Sequence, residues 1–167
     1  VILIASSPFK CPAAPYEAAL LADYLLRRNG TRDKVSVSIF TPESLPMPTA
    51  GPEMGKAVKQ MVEARDIQFS PGHKVAEIDP KEKTVSFENQ SKTTFDLLLI
   101  IPPHKAPKAL DGSGLSGETG WVPVDRETLK TPYENVYAIG DVTTIKLPNG
   151  MMLPKAGVFA EGEALMV

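Results

Sequence analysis

Cys11 is the only cysteine in the chain, and it follows Lys10 in a loop bracketed by Pro8, Pro12 and Pro15. An adjacent ammonium and a helix start at Pro15 both favour the thiolate, the reactive form of the side chain. Prolines on both sides stiffen the path that presents it. The pattern predicts a redox thiol; its plainer alternative is a small buried apolar residue, the usual fate of a free cysteine. A second group is Gly140-Asp141, a glycine-acid pair at the end of the strand-like stretch 135–139. By itself it reads equally as a loop-terminating turn. A third is Lys155-Ala156-Gly157, just past Pro154 at the start of a helix. Helix starts offer oriented amides and a positive end to negative charge, whereas a lone lysine is ordinarily a solvated surface group. Glu17 reads as a proton relay or, more simply, as an acid stabilised by the helix dipole.

Other chemistries lack their residues. One cysteine makes no internal disulfide, and with two histidines it builds no zinc site. His73 and His104 read as surface residues, and Trp121 as a packing residue. With 167 residues, 43% apolar and 23% charged, the composition is that of an ordinary globular protein. The formal net charge of −2 gives no basic excess for nucleic acid. No apolar stretch reaches transmembrane length, and no signal peptide is visible. The expected location is therefore cytoplasmic or at a membrane surface. The chain opens on the strand-like Val1-Ile2-Leu3-Ile4 and stops at Leu165-Met166-Val167 within a helical pattern. This predicts an excised piece of a larger protein.

The elements that position these residues follow from periodicity. Residues 1–5 read as a buried strand. Pro15 opens a helix with Ala18, Leu21, Ala22 and Leu25 at helical spacing, which Asn29-Gly30 stops. Val35, Val37 and Ile39 alternate as a second strand, completing a βαβ unit. A helix carries Met54, Ala57, Val58, Met61 and Val62 on one face. Ile67-Gln68-Phe69 is a strand, and 73–78 with 83–88 form a hairpin around Asp79-Pro80. The aliphatic run Leu97 to Ile101 predicts a central strand buried on both faces. The glycine-rich segment 111–120 is a loop, 121–124 and 135–139 are strands, and Pro154 opens a last helix. The fold class is α/β: a Rossmann-like parallel sheet with an inserted β-hairpin or meander. Such a sheet binds NAD(P) through glycines in its first turn and an acid after its second strand. Here that turn has no glycine. Phe40 and Thr41 stand where the acid belongs, and Glu43 comes late.

The run Pro8-Phe9-Lys10-Cys11-Pro12-Ala13-Ala14-Pro15-Tyr16-Glu17 resembles the cysteine loop of sulfide:quinone oxidoreductases and of the flavoprotein subunit of flavocytochrome c sulfide dehydrogenase. Ala13 departs from the proline typical there. Asn135-Val136-Tyr137-Ala138-Ile139-Gly140-Asp141-Val142 resembles the second FAD-binding motif of the wider FAD-dependent pyridine nucleotide-disulfide oxidoreductase superfamily. Leu153 to Gly162, with Lys155, Ala156 and Gly157, resembles the flavin-facing helix start of the sulfide-oxidising branch.

The resemblance implies a nicotinamide-type Rossmann insertion over 1–108 and the returning part of a split FAD-binding domain over 109–167. It implies that Cys11 is one of two redox thiols, the other lying outside this chain. Gly140 and Asp141 would approach the ribityl chain of FAD. Lys155, Ala156 and Gly157 would face the N1–C2=O2 edge of the flavin. Sulfide would be oxidised, with electrons leaving through flavin to a quinone, which implies peripheral membrane association of the intact protein. Without the other half of the FAD domain, this piece is expected to retain no FAD and to turn nothing over. Segment 109–167, lacking its natural sheet partners, is expected to be disordered or to pair with another molecule, giving a homo-oligomer. Two other readings stay open: an NAD(P)H-dependent flavin oxidoreductase of the type II NADH dehydrogenase kind, and a non-catalytic docking or dimerisation module.

Overall fold

Aliphatic residues that leave no polar face form the centre of the first sheet. The computed structural model describes residues 1–167. Strand β1 (Ile2–Ile4) is fully buried. It lies between β2 (Val37–Phe40) and β7 (Leu99–Ile101), with β3 (Ile67–Ser70) beyond β2, all parallel. Helices α1 (Ala14–Arg28) and α2 (Pro52–Glu63) connect the first three strands. Each starts with proline in its first turn, where the missing N–H costs nothing. Gly30, at a φ of +66°, follows the end of α1. This is the expected parallel Rossmann-like arrangement.

An antiparallel meander of β4 (Val75–Asp79), β5 (Thr84–Phe87) and β6 (Lys92–Thr94) packs on the sheet. Val85 and Phe87 from the meander meet Leu3 and Phe40 in one buried cluster. Phe40 and Phe87 stack at 5.0 Å. The His73 ring stands edge-on to both, at 5.2 and 4.9 Å. The histidine expected at the surface is therefore half-buried as part of an aromatic group.

Three expectations change. The run 97–101 was expected at the sheet centre, yet β7 pairs only with β1 and forms the sheet edge. Leu97, Leu99 and Ile100 are 68%, 44% and 43% exposed. The helices are also turned from their apolar stripes. α1 buries Pro15, Tyr16, Ala19 and Asp23, leaving Leu21 and Leu25 exposed. α2 buries Gly55 and, from its expected stripe, Val62, leaving Met54 and Met61 exposed. Close backbone approach decides the second case: a Cβ on Gly55 would stand 2.8 Å from the Pro46 carbonyl oxygen. Charge decides the first. Asp23, fully buried, accepts from Arg27 Nε at 2.9 Å, Arg32 Nε at 2.6 Å and Arg65 Nη1 at 3.4 Å. Burial pushes the Asp23 carboxyl up, but these guanidinium hydrogen bonds outweigh it and hold it below the usual carboxylate range.

The chain divides into two compact units, one of residues 1–8 and 13–103, the other of residues 9–12 and 104–167. In the second, β8 (Val122–Pro123) pairs in parallel with β9 (Thr143–Thr144), and α3 (Gly157–Ala164) closes the chain. Segment 109–167 thus has a small sheet of its own. Residues 135–139 are not a strand: Asn135 takes a φ of +60°, and only Tyr137 bridges, to Lys130. α3 begins at Gly157, three residues after the expected Pro154.

Candidate functional site

The second unit gathers Cys11, Gly140, Asp141, Lys155, Ala156 and Gly157, whereas Glu17 belongs to the first. Cys11 has a φ of +54°, a left-handed backbone uncommon outside glycine. Its N–H donates to the Lys155 carbonyl at 2.6 Å. The neighbouring Lys10 forms an ion pair with Asp141. That hydrogen bond to Asp141 pushes the exposed Lys10 ammonium up. One backbone hydrogen bond and one side-chain ion pair therefore join the cysteine loop to the Lys155 and Gly140-Asp141 segments. Lys10, His104, Lys105, Trp121, Asp141 and Lys155 line a cleft of about 360 Å³.

The Gly140-Asp141 turn is built around a glycine for a definite reason. Gly140 has a φ of +69°, and a Cβ there would stand 3.1 Å from Ala160 Cβ on α3. Its N–H donates to the Glu163 carboxylate, also on α3. Its carbonyl accepts from Thr143 Oγ1 at 2.9 Å. Glu163 was missed in the sequence. Its signal was present: Ala156, Phe159, Ala160 and Glu163 fall at helical spacing on one face, which makes the acid the odd member of an otherwise apolar row.

The Lys155 ammonium donates to the Asp141 and Thr143 carbonyls at 2.8 and 2.6 Å. It also lies 3.8 Å from the Trp121 ring centroid. Burial pushes the ammonium down, against the opposing pull of Asp141 and Glu163. Trp121 thus packs, as expected, but against a cation.

Ala156 is the N-cap residue of α3, with extended backbone and no side-chain cap on the first turn. A Cβ at Gly157 would meet open space. Uncapped amides at an open helix start suit an incoming acceptor. The left-handed Gly140 turn beside the Asp141 carboxylate suits a hydroxyl-bearing chain. The residues present therefore fit a flavin-type group. Glu17 stays exposed in the first turn of α1. No group of three or more His, Cys, Asp or Glu side chains could hold a metal ion.

In the first unit, the βα turn carries Pro8 and Pro15 in place of glycines. Glu43 is buried there and accepts from Ser7 Oγ at 2.7 Å and from Tyr16 Oη at 3.5 Å.

Residues 17–160 match the pyridine nucleotide-disulphide oxidoreductase family. The chain belongs to that family. Its members are FAD-dependent oxidoreductases. The chain is 29% identical to the mouse mitochondrial sulfide:quinone oxidoreductase over 147 residues, 84% of this chain and 32% of the relative. It is 26% identical to the sulfide-quinone reductase of Aquifex aeolicus, covering 100% of this chain and 42% of the relative. The chain thus spans about a third to two fifths of these relatives. The crystal structure of the Aquifex aeolicus sulfide:quinone oxidoreductase superposes with a TM-score of 0.79 at 23% identity, over 98% of this chain and 41% of that one. A NAD-dependent persulfide reductase from A. fulgidus superposes at 0.68 and 18% identity, over 97% of this chain and 29% of that one. These superpositions establish the shared fold. No helix is long and apolar enough to cross a membrane.

Proposed function

We propose that this chain is part of an FAD-dependent oxidoreductase that oxidises sulfide and delivers the electrons to a quinone. The observation that carries the reading is the pair of links from the cysteine loop, Cys11 N–H to the Lys155 carbonyl and Lys10 to Asp141. The one candidate thiol and the residues resembling the flavin-binding motifs belong to one compact unit. The names of the relatives supply the substrates.

FAD, when bound, supplies the two-electron relay between sulfide and quinone. The residues of this chain do the positioning. Gly140 lets α3 close on the turn that carries Asp141, and the Asp141 carboxylate, held beside Lys10, would accept hydroxyl hydrogen bonds from the ribityl chain. The start of α3, at Ala156 and Gly157, offers amides to a flavin edge that becomes negative on reduction. Lys155 fastens the Asp141–Thr143 segment from behind. Cys11 presents its sulfur from a loop whose main chain is pinned. The chain has one cysteine, so the reading calls for a second sulfur from elsewhere.

A nicotinamide reading is weaker, because the first βα turn lacks glycine and Glu43 is already committed to Ser7 and Tyr16. The test is Cys11→Ser in the longer protein loaded with FAD. Sulfide-dependent quinone reduction should fall by about 10²-fold or more, the scale of losing a nucleophile. Unchanged turnover refutes the reading.

A further inference from the structure

Glu43 is a buried carboxyl that the proposed chemistry does not use. It follows β2, and its backbone is fixed on both sides. Its N–H donates to Thr41 Oγ1 at 3.2 Å, and its carbonyl accepts from Gly72 N–H at 3.2 Å. Its side chain holds two residues that flank one loop. Ser7, on one oxygen, lies four residues before Cys11; Tyr16, on the other, lies five after. A single carboxylate therefore ties both ends of the segment that contains the thiol.

We infer that Glu43 is a positioning residue for Cys11, fastening the ends of its loop only while the carboxylate is ionised. The inference rests on reading Cys11 as the reactive thiol. An ionised carboxylate accepts from both hydroxyls without competition. Once protonated, it carries a donor of its own, so one hydroxyl has to turn round and accept, and both ties lose their charge assistance. The ties weaken, and the loop gains freedom. The groups facing the carboxyl are Ser7 of the loop and Tyr16 of α1, and no charged side chain pairs with it. His73, beyond β3, turns its ring to Phe40 and Phe87 instead. Burial pushes the Glu43 carboxyl up, with the Ser7 and Tyr16 hydrogen bonds opposing the shift. This moves the switch toward neutral pH.

The single cysteine makes the test specific, because a thiol reagent applied to the 167-residue chain reports Cys11 alone. The measurement is the rate of reaction with a dithiodipyridine, divided by the glutathione rate under the same conditions, from about pH 4 to about pH 8. For the wild type, this ratio should rise about fivefold as pH falls through the Glu43 titration, the scale of one hydrogen bond. Glu43→Gln keeps shape and acceptor but cannot titrate, so its ratio should be flat. Tyr16→Phe, which removes one tie, should raise the ratio at neutral pH and shrink the step. Far-ultraviolet circular dichroism identifies any variant that has unfolded. A flat wild-type ratio, or a step that survives in folded Glu43→Gln, overturns the inference. Neither result depends on flavin or turnover, so a failure here is distinct from a failure of Cys11→Ser in the loaded enzyme.

Discussion

The Gly140 amide donates to the Glu163 carboxylate, so the turn that carries Asp141 is fastened to α3 from twenty-three residues away. Charge-assisted bonds to main-chain amides are among the stronger single contacts. Glu163→Ala should lower the stability of this unit by about 1–3 kcal/mol. Amide hydrogen exchange at Gly140 should accelerate with it. Glu163→Gln, which keeps an acceptor, should recover most of the loss. Exchange at Gly140 that is the same in all three proteins would show that the contact contributes nothing.

Lys155 and Trp121 provide an optical readout, because the chain has one tryptophan. Burial first, against Asp141 and Glu163, holds the ammonium below the ordinary lysine value. Trp121 fluorescence should therefore titrate with an inflection below that value, absent in Lys155→Gln. The stability consequence follows from proton counting. Between the lowered folded pKa and the ordinary unfolded one, the unfolded chain binds more protons. Stability then rises with pH across that window. A tryptophan titration that Lys155→Gln leaves unchanged contradicts the arrangement.

Asp23 should behave in the opposite way to a surface acid. Asp23→Asn leaves three guanidiniums without their anion and should cost about 2–3 kcal/mol, or about 5–10 °C in Tm. The folded carboxyl is held low, so its contribution is complete above the ordinary carboxylate range. It is lost as pH falls through the lowered value. Thermal melts of the two proteins should therefore differ at neutral pH and converge in acid.

Gly55→Ala sets helix propensity against packing. Alanine favours a helix interior by about 1 kcal/mol over glycine. The added Cβ would meet the Pro46 carbonyl at 2.8 Å, and Leu45 Cβ at 3.1 Å. Overpacking costs about 1–3 kcal/mol, so the net change should be a loss, seen as a lower denaturation midpoint. A gain would mean that the 45–46 segment yields freely.

The legible parts of this fold are those governed by local rules. Pro15 at a helix start, Gly30 at its stop and the alternation through Val37 and Ile39 each act over a few residues. So does Asp79, whose Oδ1 accepts from the Lys81 and Glu82 amides at 2.8 and 3.0 Å and turns the hairpin. The helix faces were not legible, since Gly55 and Asp23 are buried by what packs on them rather than by their own polarity. β6, with its polar Lys92-Thr93-Thr94, offered no apolar pattern. In the candidate site, Cys11, Gly140, Asp141 and Lys155 stood out as residue types in motifs. Most of their partners did not: Lys10 with Asp141 and Glu43 with Ser7 are pairs far apart in sequence, and spacing does not reveal them.

The outer margin of β7 has a practical consequence. A strand bonded on one side only, with bare leucines beside it, is a template onto which another extended chain can add. Concentrated solutions of the isolated polypeptide should therefore scatter light increasingly with time, and a lysine in place of Leu97 should slow that growth.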